Sequence, residues 1–89
     1  MYKRQGREVV LTPRATALLA YLMTHPDEVM TRERLLEAVW GWSFQTSTRS
    51  VDTRIAELRR ELEDDSSAPK LISTVLGTGY RFSGHVEKA

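Results

Sequence analysis

Residues 48–62, TRSVDTRIAELRREL, combine residue types and spacing in a way that could do chemistry. At 100° per residue, Val51, Ile55, Leu58 and Leu62 fall on one helical stripe. The opposite side carries Arg49, Thr53, Ala56, Glu57 and Arg60 and has no large apolar residue. Guanidinium, hydroxyl, methyl and carboxylate are the groups that reach base edges in a DNA major groove. Arg54 and Arg59 flank this face, where they would reach phosphates on either wall of the groove. Taken alone, the pattern is read first as a solvated helix face, because amphipathic Arg/Glu helices are common. Base readout is then the second reading.

Other elements must hold such a helix. Residues 2–4 and 8–11 are strand candidates around the turn signal Gln5-Gly6, which makes an N-terminal hairpin. Thr12-Pro13 starts a helix, with a hydroxyl cap and a proline at its first position. Ala15, Leu18, Leu19, Leu22 and Met23 continue it to about Thr24, and His25-Pro26-Asp27 is a tight connection. Thr31 caps a second helix with Leu35, Leu36 and Val39 apolar, and Gly41 ends it. Residues 42–47 form a loop with two large aromatics, Trp42 and Phe44, which either plug the core or face a partner. Ser47 or Thr48 caps the third helix, and residues 64–69 are a polar connector. Residues 70–75 and 80–82 are strands around Leu76-Gly77-Thr78-Gly79, whose glycines allow positive φ. Residues 87–89 read as a frayed tail.

The 89 residues allow one domain with one core, placed here at residues 1–86. There is no cysteine, so disulfides and thiolate metal sites are excluded. Only His25 and His85 could serve as imidazole ligands, so no metal site and no cofactor are expected. The sequence has no apolar run near 18 residues and no signal-peptide pattern, which implies a soluble, cytoplasmic chain with no membrane partner. The net charge of +1 is low for a nucleic-acid binder, but it is unevenly spread. Arg49, Arg54, Arg59 and Arg60 precede the acidic run Glu61, Glu63, Asp64 and Asp65. No nucleophile–base pairing or phosphate-binding glycine loop is present, and Ser66, Ser67 and Asp64 have no partner histidine nearby in the sequence. An enzyme is therefore not expected. A protein-interaction module stays open as the second class, favoured by the near-neutral charge and by Trp42 and Phe44.

RSVDTRIAELRREL followed by LISTVLGTGYRF resembles the OmpR/PhoB-type DNA-binding domain of bacterial response regulators. LTPRATALLAYLMTHPDEVMTRERLLEAVWG is similar to that family's first two helices, and the likeness runs over about residues 7–83. The resemblance implies an α+β, mainly α, winged helix-turn-helix: three helices, a short N-terminal antiparallel β segment and a C-terminal β-hairpin wing. It implies sequence-specific double-stranded DNA binding as the output domain of a transcription factor. The recognition helix, about residues 48–64, would lie in the major groove, and the wing, about 75–81, near the minor groove.

Family phosphate positions fall on Trp40, Arg49, Ser50, Arg59 and Tyr80, and base-facing positions on Asp52, Thr53 and Glu57. The wing would present Thr74, Leu76, Thr78 and Arg81, and the loop with Trp42 and Phe44 would approach RNA polymerase. Further implied partners are direct-repeat half-sites and a histidine kinase acting through a receiver domain outside this sequence. The N-terminal strands look truncated, and the isolated domain is expected to be monomeric. Glu57 and Leu76 stand where some members carry arginine, and Ala15 and Thr16 replace a Glu and a large aromatic.

Overall fold

In a computed structural model, residues 2–4, 6–41, 47–62, 68, 70–84 and 86–88 are described. The elements run β1 (Tyr2–Arg4), β2 (Arg7–Val9), α1 (Pro13–Met23), β3 (Val29–Thr31), α2 (Arg32–Trp40), α3 (Arg49–Glu61), β4 (Ile72–Val75), β5 (Gly79–Phe82) and β6 (Glu87–Lys88). They make two three-stranded antiparallel sheets, β2-β1-β6 and β3-β5-β4, around three helices.

Local chemistry sets the helix ends. Thr12 Oγ1 accepts from the Ala15 amide at 3.4 Å and Pro13 occupies the first turn, so α1 starts where its sequence signals it. Thr31 Oγ1 accepts from the Arg34 amide at 3.0 Å, and Gly41, at φ +86°, closes α2 with its N–H on Leu36 and Glu37 carbonyls. The third helix differs in detail. Thr48 makes no side-chain cap; Ser47 Oγ accepts from the Arg49 amide at 3.2 Å instead. Asp52 in the first turn and Arg59 and Arg60 in the last complement the helix dipole.

The stripe Val51, Ile55, Leu58 and Leu62 is buried to 1% exposure or less. It packs with Leu18, Leu19 and Leu22 of α1, Leu35 of α2, and Met30, Leu71, Ile72 and Phe82 from the sheet side. Four such burials contribute about 6–12 kcal/mol before chain entropy is subtracted. Tyr2, Val9 and Val86 extend the core under the N-terminal sheet.

Several sequence expectations are corrected. The expected tail at 87–89 does not hold for Glu87–Lys88, which is β6: Tyr2 pairs with Lys88 and Lys3 with Glu87. Ladder hydrogen bonds to β1 order a segment with no apolar pattern of its own. Strand β3 was not expected either; it makes the β4–β5 hairpin a three-stranded sheet. Of the two turn glycines, only Gly77 has positive φ, +75°, where the Thr78 amide bonds to Val75 O at 3.0 Å. Gly79 serves a close approach instead, since a Cβ there would lie 1.9 Å from Met30 O.

Candidate nucleic-acid interface

The outward side of α3 presents Arg49, Thr53, Ala56 and Arg60, all exposed. Thr53 Oγ1 donates to Arg49 O at 3.1 Å, which leaves its methyl and oxygen lone pairs at the surface. Arg60 pairs loosely with its neighbour Glu61 at 3.2 Å, a contact worth little at the surface. Arg54 and Arg59 are half-buried on the flanks, as the helical period places them, and Ser50 is half-buried near the helix start.

Glu57 departs from its expected place. It is 7% exposed and turned inward, with Oε2 accepting from the Thr12 amide and Oε1 from the Thr12 hydroxyl, both at 2.8 Å. Arg54 Nη1 donates to the same Oε1 at 2.5 Å. The N-terminus of α1 lies against this side of α3, and its unsatisfied donors draw the carboxylate away from a base-facing position. Burial pushes the Glu57 carboxyl up, but the Thr12 and Arg54 donors outweigh it and hold it below the usual carboxylate range.

Asp52 is also bonded within the protein, although its side chain remains 41% exposed. Its Oδ1 accepts from Arg32 Nε at 2.8 Å and from the Tyr80 hydroxyl at 2.5 Å. Burial raises this carboxyl, yet the bonds from Tyr80 and Arg32 and their charge bring it below its ordinary value. Arg32 and Arg59 lie over the Tyr80 ring with Cζ 5.4 and 5.7 Å from its centroid. Tyr80 is thus a buried hub whose hydroxyl proton is committed to Asp52 rather than held free for a phosphate. Arg59 also donates to Ile72 O at 2.7 Å and to Thr74 Oγ1 at 2.9 Å, which ties β4 to α3. Trp40 is in the core at 9% exposure, with the Arg14 guanidinium 5.7 Å from its ring centre.

The wing residues Thr74, Leu76, Thr78 and Arg81 are exposed, Leu76 to 90%. Trp42 and Phe44 lie outside the described residues. Sequence reasoning passed over Arg32 and Thr12. Arg32 is the first residue of α2, a place where charge is ordinarily unremarked, and the cap signal at Thr12 gave no hint of a second role. Among the described residues no group of three or more His, Cys, Asp or Glu could hold a metal ion. No helix of the described residues is long and apolar enough to cross a membrane.

The two hydrogen-bonded carboxylates make a pH prediction. Both sit below their ordinary values in the folded domain, so the stability they contribute is full above about pH 5 and is lost as pH falls through the folded values. Thermal melts are expected to be flat from about pH 7 to 5 and to drop below about pH 4. Glu57→Gln lowers the neutral melting temperature and makes the acid limb shallower. An unchanged acid limb in that variant argues against the described bonding of Glu57.

Three helices, a hairpin wing and a polar, arginine-flanked third helix define a winged helix-turn-helix. Residues 6–82 match the family described as transcriptional regulatory protein, C terminal. The chain belongs to this family, with the OmpR/PhoB type of response-regulator output domain as its structural class. It is similar to the Klebsiella pneumoniae RstA DNA-binding domain, solved in complex with the RstA box, at 34% identity and TM-score 0.82, covering 94% of this chain and 84% of that one. It is similar to Thermotoga maritima DrrB, an OmpR/PhoB homologue, at 38% identity and TM-score 0.80, covering 90% of this chain and 36% of that one. The DNA-binding domain of E. coli CadC matches at 35% identity and TM-score 0.79, covering 94% and 78%.

Proposed function

We propose that this domain binds double-stranded DNA in a sequence-specific manner, as the output end of a transcription factor in the bacterial cytoplasm. The observation that carries the reading is the outward face of α3, with Arg49, Thr53, Ala56 and Arg60 exposed and Arg32, Arg54 and Arg59 around it. The solved complex of the RstA domain with its box supports it. In this reading α3 enters the major groove and the β4–β5 wing meets the minor groove. Thr53 and Ala56 pack on thymine methyls, and Arg60 takes guanine O6 and N7. Arg49, Arg54, Arg59 and Ser50 contact phosphates, with Arg32 added to that set. The inward Glu57 leaves base readout to these neighbours.

One small module buries limited DNA surface, so useful affinity comes from two copies on direct-repeat half-sites. A histidine kinase acting through a receiver domain, and RNA polymerase meeting Trp42 and Phe44, complete the proposed partners.

Selection from a random DNA pool at low and moderate salt tests this reading. Recovery of a short repeated motif is expected, and Arg49→Ala should weaken binding to all sequences about equally. No recovery at either salt would sink the DNA reading and turn attention to protein partners, which the net charge of +1 would suit.

A further inference from the structure

Arg54 is held by two elements at once. Its Nη1 donates to Glu57 Oε1 at 2.5 Å and reaches Thr12 Oγ1, 42 residues earlier in the chain, at 3.3 Å. Glu57 in turn is fixed by the amide and hydroxyl of Thr12, so the carboxylate cannot swing with the arginine. Among the described residues no hydrogen bond reaches Nε or Nη2 of Arg54, and the side chain is 33% exposed. One edge of a planar, always-charged fork is therefore anchored, and the other is left for a ligand. Phosphate oxygens suit such an edge, because two parallel N–H donors match their spacing.

We propose that Glu57 is a positioning residue: it fixes the Arg54 guanidinium so that its open edge receives one DNA phosphate on the α1 side of the groove. The inference rests on the DNA-binding reading above and adds to it the source of one contact's geometry. A carboxylate near a phosphate would ordinarily repel it. Here three donors occupy the Glu57 oxygens, and the Arg54 guanidinium is bonded directly to one of them. Ordering a long side chain before binding is worth about two- to tenfold in affinity.

The test is a binding cycle with the intact domain on a duplex taken from the pool selection, using wild type, Glu57→Gln, Arg54→Ala and the double variant. Glu57→Gln is expected to weaken binding about two- to tenfold when Arg54 is present and to have no effect when it is Ala. The base-preference profile should not change. Equal weakening in both backgrounds, the mark of a purely structural role, overturns the proposal. So does a preference change confined to one base pair, which would make Glu57 a base contact. Because Glu57→Gln could compromise folding, nitrogen-15 relaxation of the wild-type domain gives a second check. Arg54 Nε should be ordered and the exposed Arg60 Nε mobile, and equal mobility overturns the proposal. Wild-type protein that fails to bind DNA defeats both this inference and the DNA reading. Wild-type protein that binds without coupling defeats this inference alone.

Discussion

Gly79→Ala is expected to lower the melting temperature by about 12–24 °C, the consequence of a loss near 3 kcal/mol in a domain of this size. The residue begins β5, and its register partner in β3 is Thr31. A Cβ there would meet Met30 O at 1.9 Å, Met30 C at 2.9 Å and Thr31 Cα at 3.0 Å. All three are backbone atoms, and no rotamer change relieves the clash. Either β5 moves off β3 or the hairpin twists away from α3, and both break ladder bonds and expose Met30, which is fully buried. With total stability of order 4–13 kcal/mol for 89 residues, one such change takes a large share. Gly77→Asn is the matching control. Gly77 also turns the hairpin, but no atom lies within 4 Å of its Cβ position and Asn tolerates its positive φ. A melting temperature for Gly79→Ala no lower than for Gly77→Asn would mean that β3 and β5 do not approach as described.

Raising salt from about 50 to 200 mM is expected to weaken DNA binding about 150-fold, if Arg32, Arg49, Arg54 and Arg59 each neutralise one phosphate. The logarithmic slope would be about −3.6, and each arginine replaced by alanine should reduce it by about 0.9. The size of the effect follows from how the charge is arranged, since the net charge is only +1. Arg49 lies on the outward face of α3 with Arg54 and Arg59 on its two flanks and Arg32 beside it on α2, while acidic residues follow from Glu61 onward. A slope near zero, measured by anisotropy on a duplex of the selected sequence, would remove phosphate contact as the source of affinity. A slope that persists after all four replacements would place the contacts on other residues.

The third helix was legible because its stripe follows a fixed period, and period is a property of sequence. Val51, Ile55, Leu58 and Leu62 are all core, as that period requires. The same wheel misplaced Glu57, because it gives direction but not what waits in that direction. Thr12 is 45 residues away in sequence, and its orphan amide decides where the carboxylate points. The bonds of Asp52 were equally out of reach of the sequence, because Arg32 and Tyr80 arrive from two other elements. The caps at Thr12 and Thr31 were readable because a cap is local. Strands β3 and β6 were not, because three and two residues leave no alternation to detect and the pairing partner supplies their order. The two glycines of Gly77-Thr78-Gly79 look alike in the sequence, but one answers to torsion and the other to an approaching strand.

Pairing of β6 on β1 sets the mechanical behaviour of the domain. Tyr2 and Lys88 are register partners in an antiparallel pair, so the two ends of the described chain emerge side by side. A pull applied through both ends therefore peels this pair one hydrogen bond at a time, as a zipper opens, instead of shearing all its bonds together. That geometry yields at low force. The load is carried by two short strands, while α3 and the β4–β5 hairpin lie outside its path. Tension from neighbouring chain would thus strip the N-terminal sheet first and leave the arginine-lined helix in its place.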